Sequence, residues 1–215
     1  MAELRESKKR ETRQRLSDVA TELFFQRGFD AVTVEEIAAA AHVSKVTVFN
    51  YFTRKEDLFL DREAEVMPLL RRALESRSAL ESRSAPESKA KGVAQLAALR
   101  KLVDQLSEQK HPFAHIDDKA LAWWRVVAAS ASLKARLREI GDEVTQGLAL
   151  ELGGPKFDAR TRLLAGMIVL TWRTAYAEAL RVLEHRGSVK KANSEFRALL
   201  ELGFTAAQRL DAPSP

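Results

Sequence analysis

The chain has 215 residues, 46% of them hydrophobic and 30% charged. That is enough for one medium domain or a small domain fused to a larger one, and too much apolar area to remain disordered. Cysteine is absent, which excludes disulfide frameworks, thiolate metal sites and cysteine nucleophiles.

The first eleven residues are charged throughout and cannot serve as the apolar part of a secretory signal. The longest apolar run, Leu163 to Trp172, is flanked by Arg162 and Arg173. It is shorter than the roughly 20 residues that span a bilayer, so a soluble, cytoplasmic protein is expected. The net charge is +5, and its distribution matters more than its size. Six bases (Arg5, Lys8, Lys9, Arg10, Arg13 and Arg15) face only Glu6 and Glu11 in the same stretch. Such a basic leading segment suits nucleic acid or an anionic membrane surface, and is also what a merely solvated arm looks like.

Helical spacing runs through almost the whole chain. Leu16, Val19, Ala20, Leu23 and Phe24 form the first apolar stripe, and Gly28 stands where a helix ends in a left-handed residue. Thr33 with Glu36 forms a capping box, and Val32 with Ile37 a hydrophobic staple. The short helix so started gives way near His42, and Ser44 caps a third helix over Lys45 to about Phe52. Thr53, with Glu56 three residues on, is expected to open a longer fourth helix through Leu58, Val66, Leu69, Leu70 and Leu74. Two short capped helices joined by a tight turn make a helix-turn-helix pattern. A near repeat, Glu75-Ser-Arg-Ser-Ala79 and Glu81-Ser-Arg-Ser-Ala85, marks 75–88 as a polar connector. Further helices are expected from Ser88 to Gln109, Asp118 to Ser130, Ser132 to Leu152, Asp158 to His185 and Ala192 to Leu210. The expectation is an all-α fold of about nine helices.

The residues from Thr12 to Phe59 resemble the DNA-binding domain of the TetR family of bacterial transcriptional regulators. The resemblance rests on Ala20, Leu23-Phe24, Gly28-Phe29, Thr33-Val34-Glu35-Glu36-Ile37-Ala38, Ala41-His42-Val43-Ser44, Thr47-Val48-Phe49-Asn50-Tyr51-Phe52 and Lys55-Glu56-Asp57-Leu58. It implies a DNA-binding domain over residues 1–54 and a helical ligand-binding and dimerisation domain over 55–215. It further implies a homodimer on a palindromic double-stranded DNA operator, released by a small-molecule effector, most often as a repressor. The turn departs from the pattern at His42, where the family usually has glycine, as does Val46. Phe49 replaces a frequent tyrosine, so no phosphate contact is carried onto it.

The residues themselves point the same way. A recognition helix is short, held by a rigid partner, and meets base edges near its N-terminus. Thr33, Ser44, Lys45, Val46, Thr47, Asn50, Tyr51 and Lys55 are the candidate DNA-binding residues. Asn pairs with adenine and Val touches a thymine methyl, while Tyr51 and Lys55 can hold the backbone. Val48, Phe49 and Phe52 are expected to face inward. Thr33 and Ser44 serve as caps whether or not they touch DNA.

The C-terminal two-thirds carries a core and little chemistry. The helices over Asp158–His185 and Ala192–Leu210 are suited to a two-fold dimer interface, although burial against their own chain accounts for the same residues. Phe113, Trp123, Trp124, Met167 and Trp172 are candidate ligand-binding residues, and equally ordinary core residues. His111 and His115 have metal-like spacing, but Pro112 interrupts any shared helix and no third ligand is evident. No phosphate loop or nucleophile–base set is present, so no enzyme, cofactor or metal is expected. Two other readings remain: a DNA binder without an inducer, and a helical protein-interaction module.

Overall fold

The computed structural model describes residues 2–81 and 88–211, and among them every regular element is a helix. In order these are α1 (Ala2–Arg27), α2 (Val34–Ala40), α3 (Lys45–Tyr51), α4 (Lys55–Phe59), a 3-10 turn (Asp61–Glu65), α5 (Val66–Glu81), α6 (Ser88–Glu108), α7 (Asp118–Ala129), α8 (Ala131–Gly153), α9 (Ala159–Glu184) and α10 (Val189–Asp211). Ten α-helices among the described residues replace the nine expected. The extra one arises because the long helix expected from Lys55 is broken in two.

That break has a cause in the sequence. Pro68 lacks a backbone N–H and would cost a helix running through it an internal hydrogen bond. The helix therefore stops at Phe59 and restarts at Val66, which places Pro68 in the first turn of α5, where no N–H partner is needed. The expected Thr53 cap is also replaced: Arg54 is the N-cap of α4, and its side chain makes no capping bond. The basic segment is no loose arm, since α1 begins at Ala2 and runs unbroken to Arg27. Of the 75–88 connector, the first residues continue α5 to Glu81, and 82–87 lie outside the described residues.

The chain divides into two compact units, Met1–Ala64 with Ala122–Glu139, and Glu65–Leu121 with Ile140–Pro215. In the first, Leu16, Ala20, Phe24, Phe29, Ile37, Val48, Phe52 and Leu58 are buried. Phe24 is central: its ring lies 4.8 Å from that of Phe29 and 5.6 Å from that of Phe59. The buried Ser17 hydroxyl donates to the Leu58 carbonyl at 3.0 Å, tying α1 to α4. Residues 122–139 complete this unit. Trp123 stacks on Phe59 at 5.7 Å, Ser130 donates to Asp30 at 2.8 Å, and Arg136 donates to Asp57 at 2.9 Å.

In the second unit α9 and α10 lie along one another, with Ala175, Ala179, Leu180, Phe196, Leu200 and Phe204 buried. A β-carbon at Gly203 would come 2.1 Å from Thr171 Cγ2, so only glycine allows this closeness of α10 to α9. The loop before α7 is sewn onto these helices. Trp172 Nε1 donates to the Phe113 carbonyl at 2.9 Å and the Tyr176 hydroxyl to the Pro112 carbonyl at 3.1 Å. Asn193 both donates to the Ile116 carbonyl and accepts from its N–H.

Three helices end on a non-glycine residue in the left-handed region: His42 (φ 56°), Lys110 (φ 52°) and Arg186 (φ 61°). After α2 the His42 N–H bonds to the Ala39 carbonyl and the Val43 N–H to the Ala38 carbonyl, the paired closure that favours glycine at the left-handed position. The exposed His42 therefore carries backbone strain. His42→Gly is expected to stabilise the first unit by about 0.5–1 kcal/mol, read as a raised thermal midpoint. An unchanged or lowered midpoint would contradict the assignment of strain.

Candidate nucleic-acid interface

The helix-turn-helix is α2 and α3 with the turn between them. Thr33 is the N-cap of α2, and its hydroxyl accepts the Glu36 N–H while the Glu36 carboxylate accepts the Thr33 N–H. The Glu36 carboxyl is pulled from its ordinary 4.5 down to about 2, chiefly by that backbone N–H of Thr33, then by the Arg27 and Thr33 side chains. Ser44 caps α3 by accepting the Thr47 N–H at 3.0 Å. These local bonds set where the second short helix begins, and so which of its residues face outward.

Val48 and Phe52 turn inward from α3, at 1% and 2% exposure. Lys45, Val46, Phe49 and Asn50 are exposed, with Thr47 and Tyr51 partly covered. Phe49 was expected on the inner side with Val48 and Phe52, and the structure corrects this: it is 44% exposed. Val48 and Phe52 are four apart and share a face, whereas Phe49 is three from Val46 and joins the outer one.

The cations divide sharply by role. Lys45 pairs with Glu35 at 2.5 Å between two exposed side chains, a contact of small energetic worth. Lys55, expected to reach a phosphate, instead donates to the Phe29 carbonyl at 2.6 Å and lies over the Phe29 ring at 4.2 Å. Burial lowers its pKa, opposed by Asp30, Glu56 and Glu36. Its ammonium is engaged inside the unit, so it braces the scaffold. Arg13 is likewise internal. It donates to the Tyr51 carbonyl at 2.6 Å, pairs with Asp61 at 2.5 Å and covers the Phe52 ring at 4.3 Å. It thereby holds the C-terminal end of α3 against α1. Arg5, Lys8, Lys9, Arg10 and Arg15 remain exposed on α1.

The candidate ligand residues are shared between the two units. Trp123 and Trp124 fall in the first unit, and Phe113, Met167 and Trp172 in the second. Phe113 and Trp172 come together at 6.3 Å, but as packed partners in a series continuing through Tyr176 to Phe196. Met167 alone among the five lines an open groove of about 700 Å³ along α9, with Thr145, Phe157, Arg162, Leu163 and Leu170. The His111 Nδ1 accepts the Phe113 N–H, and among the described residues no group of three or more metal-ligating side chains occurs. Nor is any described helix long and apolar enough to cross a membrane.

The signals that sequence reasoning missed are tertiary. Residues 122–139 join the first unit through Trp123, Ser130 and Arg136, the last of which bonds Asp57 of α4. No local periodicity announces such pairings.

Comparison with known proteins agrees with this geometry. Residues 16–61 match the family described as bacterial regulatory proteins, tetR family. The transcriptional regulator TcmR of Streptomyces glaucescens is 39% identical over 74 residues, covering 34% of this chain and 33% of that protein. The regulator AcrR of Shigella flexneri is 41% identical over 59 residues, 27% of each chain. The chain thus spans only about a third or less of these curated relatives' length. A TetR-family regulator from Streptomyces coelicolor shares the fold over 93% of this chain and 94% of its own, with a TM-score of 0.50 and 19% identity. The helix-turn-helix thus lies within a stretch, residues 16–61, that matches the tetR family of bacterial regulatory proteins, and the chain as a whole shares its helical fold with the Streptomyces coelicolor structure.

Proposed function

We infer that the chain is a sequence-specific transcriptional regulator that binds a palindromic double-stranded DNA operator as a homodimer, acting as a repressor released by a small molecule. The observation that carries DNA reading is the outer face of α3. It is short, capped, anchored by Val48 and Phe52, and presents Lys45, Val46, Phe49 and Asn50 outward. That is the geometry a major-groove reader requires. Thr33, Ser44, Thr47 and Tyr51 border this face and position the backbone; Lys55 acts behind it.

Dimerisation is supported by the outer side of the α9–α10 pair. Leu163 and Leu170 on α9 are 54% and 63% exposed and Leu202 on α10 is 68% exposed, apolar side chains that a second copy would cover by two-fold symmetry. Release by an effector is what the family resemblance implies. By linkage such a ligand must weaken DNA affinity by the factor with which DNA weakens its own. In the second unit Phe113, Trp172, Tyr176 and Phe196 fill their space with one another, so an effector entering there has to displace these contacts.

Stoichiometry tests the reading. Sedimentation of the full chain with a selected duplex is expected to give two chains per site, and Asn50→Ala is expected to weaken that complex about 5–100-fold at the contacted base pair. One chain per duplex, or equal affinity for a scrambled duplex, would contradict it.

A further inference from the structure

We propose that Val46 and Phe49 form an apolar reader on α3 that selects thymine C5-methyl groups in the major groove, with Phe49 a specificity-determining residue. This rests on the DNA-binding function proposed above and names the base chemistry that function uses. Val46 is 69% exposed and Phe49 44%. Three residues apart, they share one side of a helix of 7 residues whose opposite side is locked by the buried Val48 and Phe52. Two large apolar side chains left one turn apart in water mark a surface that a partner covers.

The chemistry of the neighbours narrows what that partner offers. Phe49 has no hydroxyl and Val46 no polar atom, so neither can bond a phosphate. Around them, the Lys45 ammonium is paired with Glu35 and lies 5.8 Å from the Phe49 ring. The Thr47 hydroxyl is 2.8 Å from that of Ser44. Base edges in the major groove are otherwise donors and acceptors, and the thymine methyl is their one apolar feature. Guanine or cytosine beneath Phe49 would leave polar edge atoms desolvated against hydrocarbon, a cost the methyl avoids. Asn50, beside Phe49 and four residues from Val46, supplies the amide suited to adenine N6 and N7. The half-site therefore contains an adenine read by Asn50, with thymines under Val46 and Phe49. The exposed Lys8, Lys9 and Arg10 of the same unit complement the charge of a duplex.

Deoxyuridine differs from thymidine only by this methyl, so it tests the idea on the unaltered protein. The full chain is used to select a duplex from a random pool, and the winner is resynthesised with deoxyuridine at each thymine in turn. At thymines under α3 the affinity is expected to fall about fourfold per methyl and about sixteenfold for two, with no change elsewhere. The Val46→Ala, Phe49→Ala double variant is expected to bind thymidine and deoxyuridine duplexes alike. A selected site bound equally well with and without its methyls overturns the thymine reading and leaves DNA recognition intact. A pool that yields no preferred sequence overturns DNA reading itself, and this inference with it.

Discussion

Phe24→Ala is expected to destabilise the helix-turn-helix unit by about 3–5 kcal/mol and to abolish DNA binding as a consequence. Phe24 is fully buried, and its ring meets Phe29 and Phe59 while the Lys55 ammonium stands 5.7 Å from its centre. Truncation removes the ring and leaves a cavity where α1, α4 and the chain after Gly28 converge, and surrounding helices relax into such space only partly. Domain stabilities are about 5–15 kcal/mol, so the loss is a large fraction of the whole. The adjacent Phe25 is the internal control. It is 46% exposed and touches Phe59 only at its edge, so Phe25→Ala should cost about 1 kcal/mol or less. Denaturant titration of both variants checks the contrast; equal losses would place the core elsewhere.

The second large effect is electrostatic. Replacing Lys8, Lys9 and Arg10 by Gln is expected to lower operator affinity by about two orders of magnitude per chain at 0.1 M salt and to make the log–log salt slope of the two-chain complex shallower by about 5.4. Three exposed cations per chain on α1 each release a counterion when they meet a phosphate. Folding should hardly change, because solvated surface charges contribute little to it. Arg13→Gln separates this from a structural role. That guanidinium is spent on Tyr51, Asp61 and Phe52, so its loss should lower the melting temperature before it alters the slope. A triple variant that keeps the parent's slope would show that the start of α1 stays clear of the duplex.

What could be read without coordinates was the chemistry that acts over a few residues. The Thr33–Glu36 box, the Ser44 cap and the Asp158 cap of α9 all involve side chains bonding three residues on, so sequence spacing is nearly sufficient. Gly28 takes a positive φ of 83° at the end of α1, as its place after the apolar stripe predicts. His42 likewise carries the left-handed backbone that the usual glycine would relieve. The differences between expectation and structure have both distant and local origins. Position alone points Lys55 to a phosphate, and no local pattern shows that its ammonium donates to the Phe29 carbonyl, 26 residues earlier. Phe49 is expected inside with Val48 and Phe52, yet helix phase turns it outward. The break before α5 could have been seen in Pro68, whose missing N–H decides where the helix restarts. The aromatic residues of the second unit carry no label distinguishing a cavity wall from a packed core; only the hydrogen bonds of Trp172 and Tyr176 to the loop before α7 do so.

The central claim is that α3 reads base sequence, and selection of duplexes from a random pool by the full chain, followed by salt titration of the winner, tests it most directly. The expected outcome is an inverted repeat with half-sites about 34–36 Å apart, carrying an adenine flanked by thymines in each half, bound with a steep salt dependence. Recovery of no common sequence, with only weak salt-sensitive association to every duplex, would contradict the account and bring the protein-interaction reading forward.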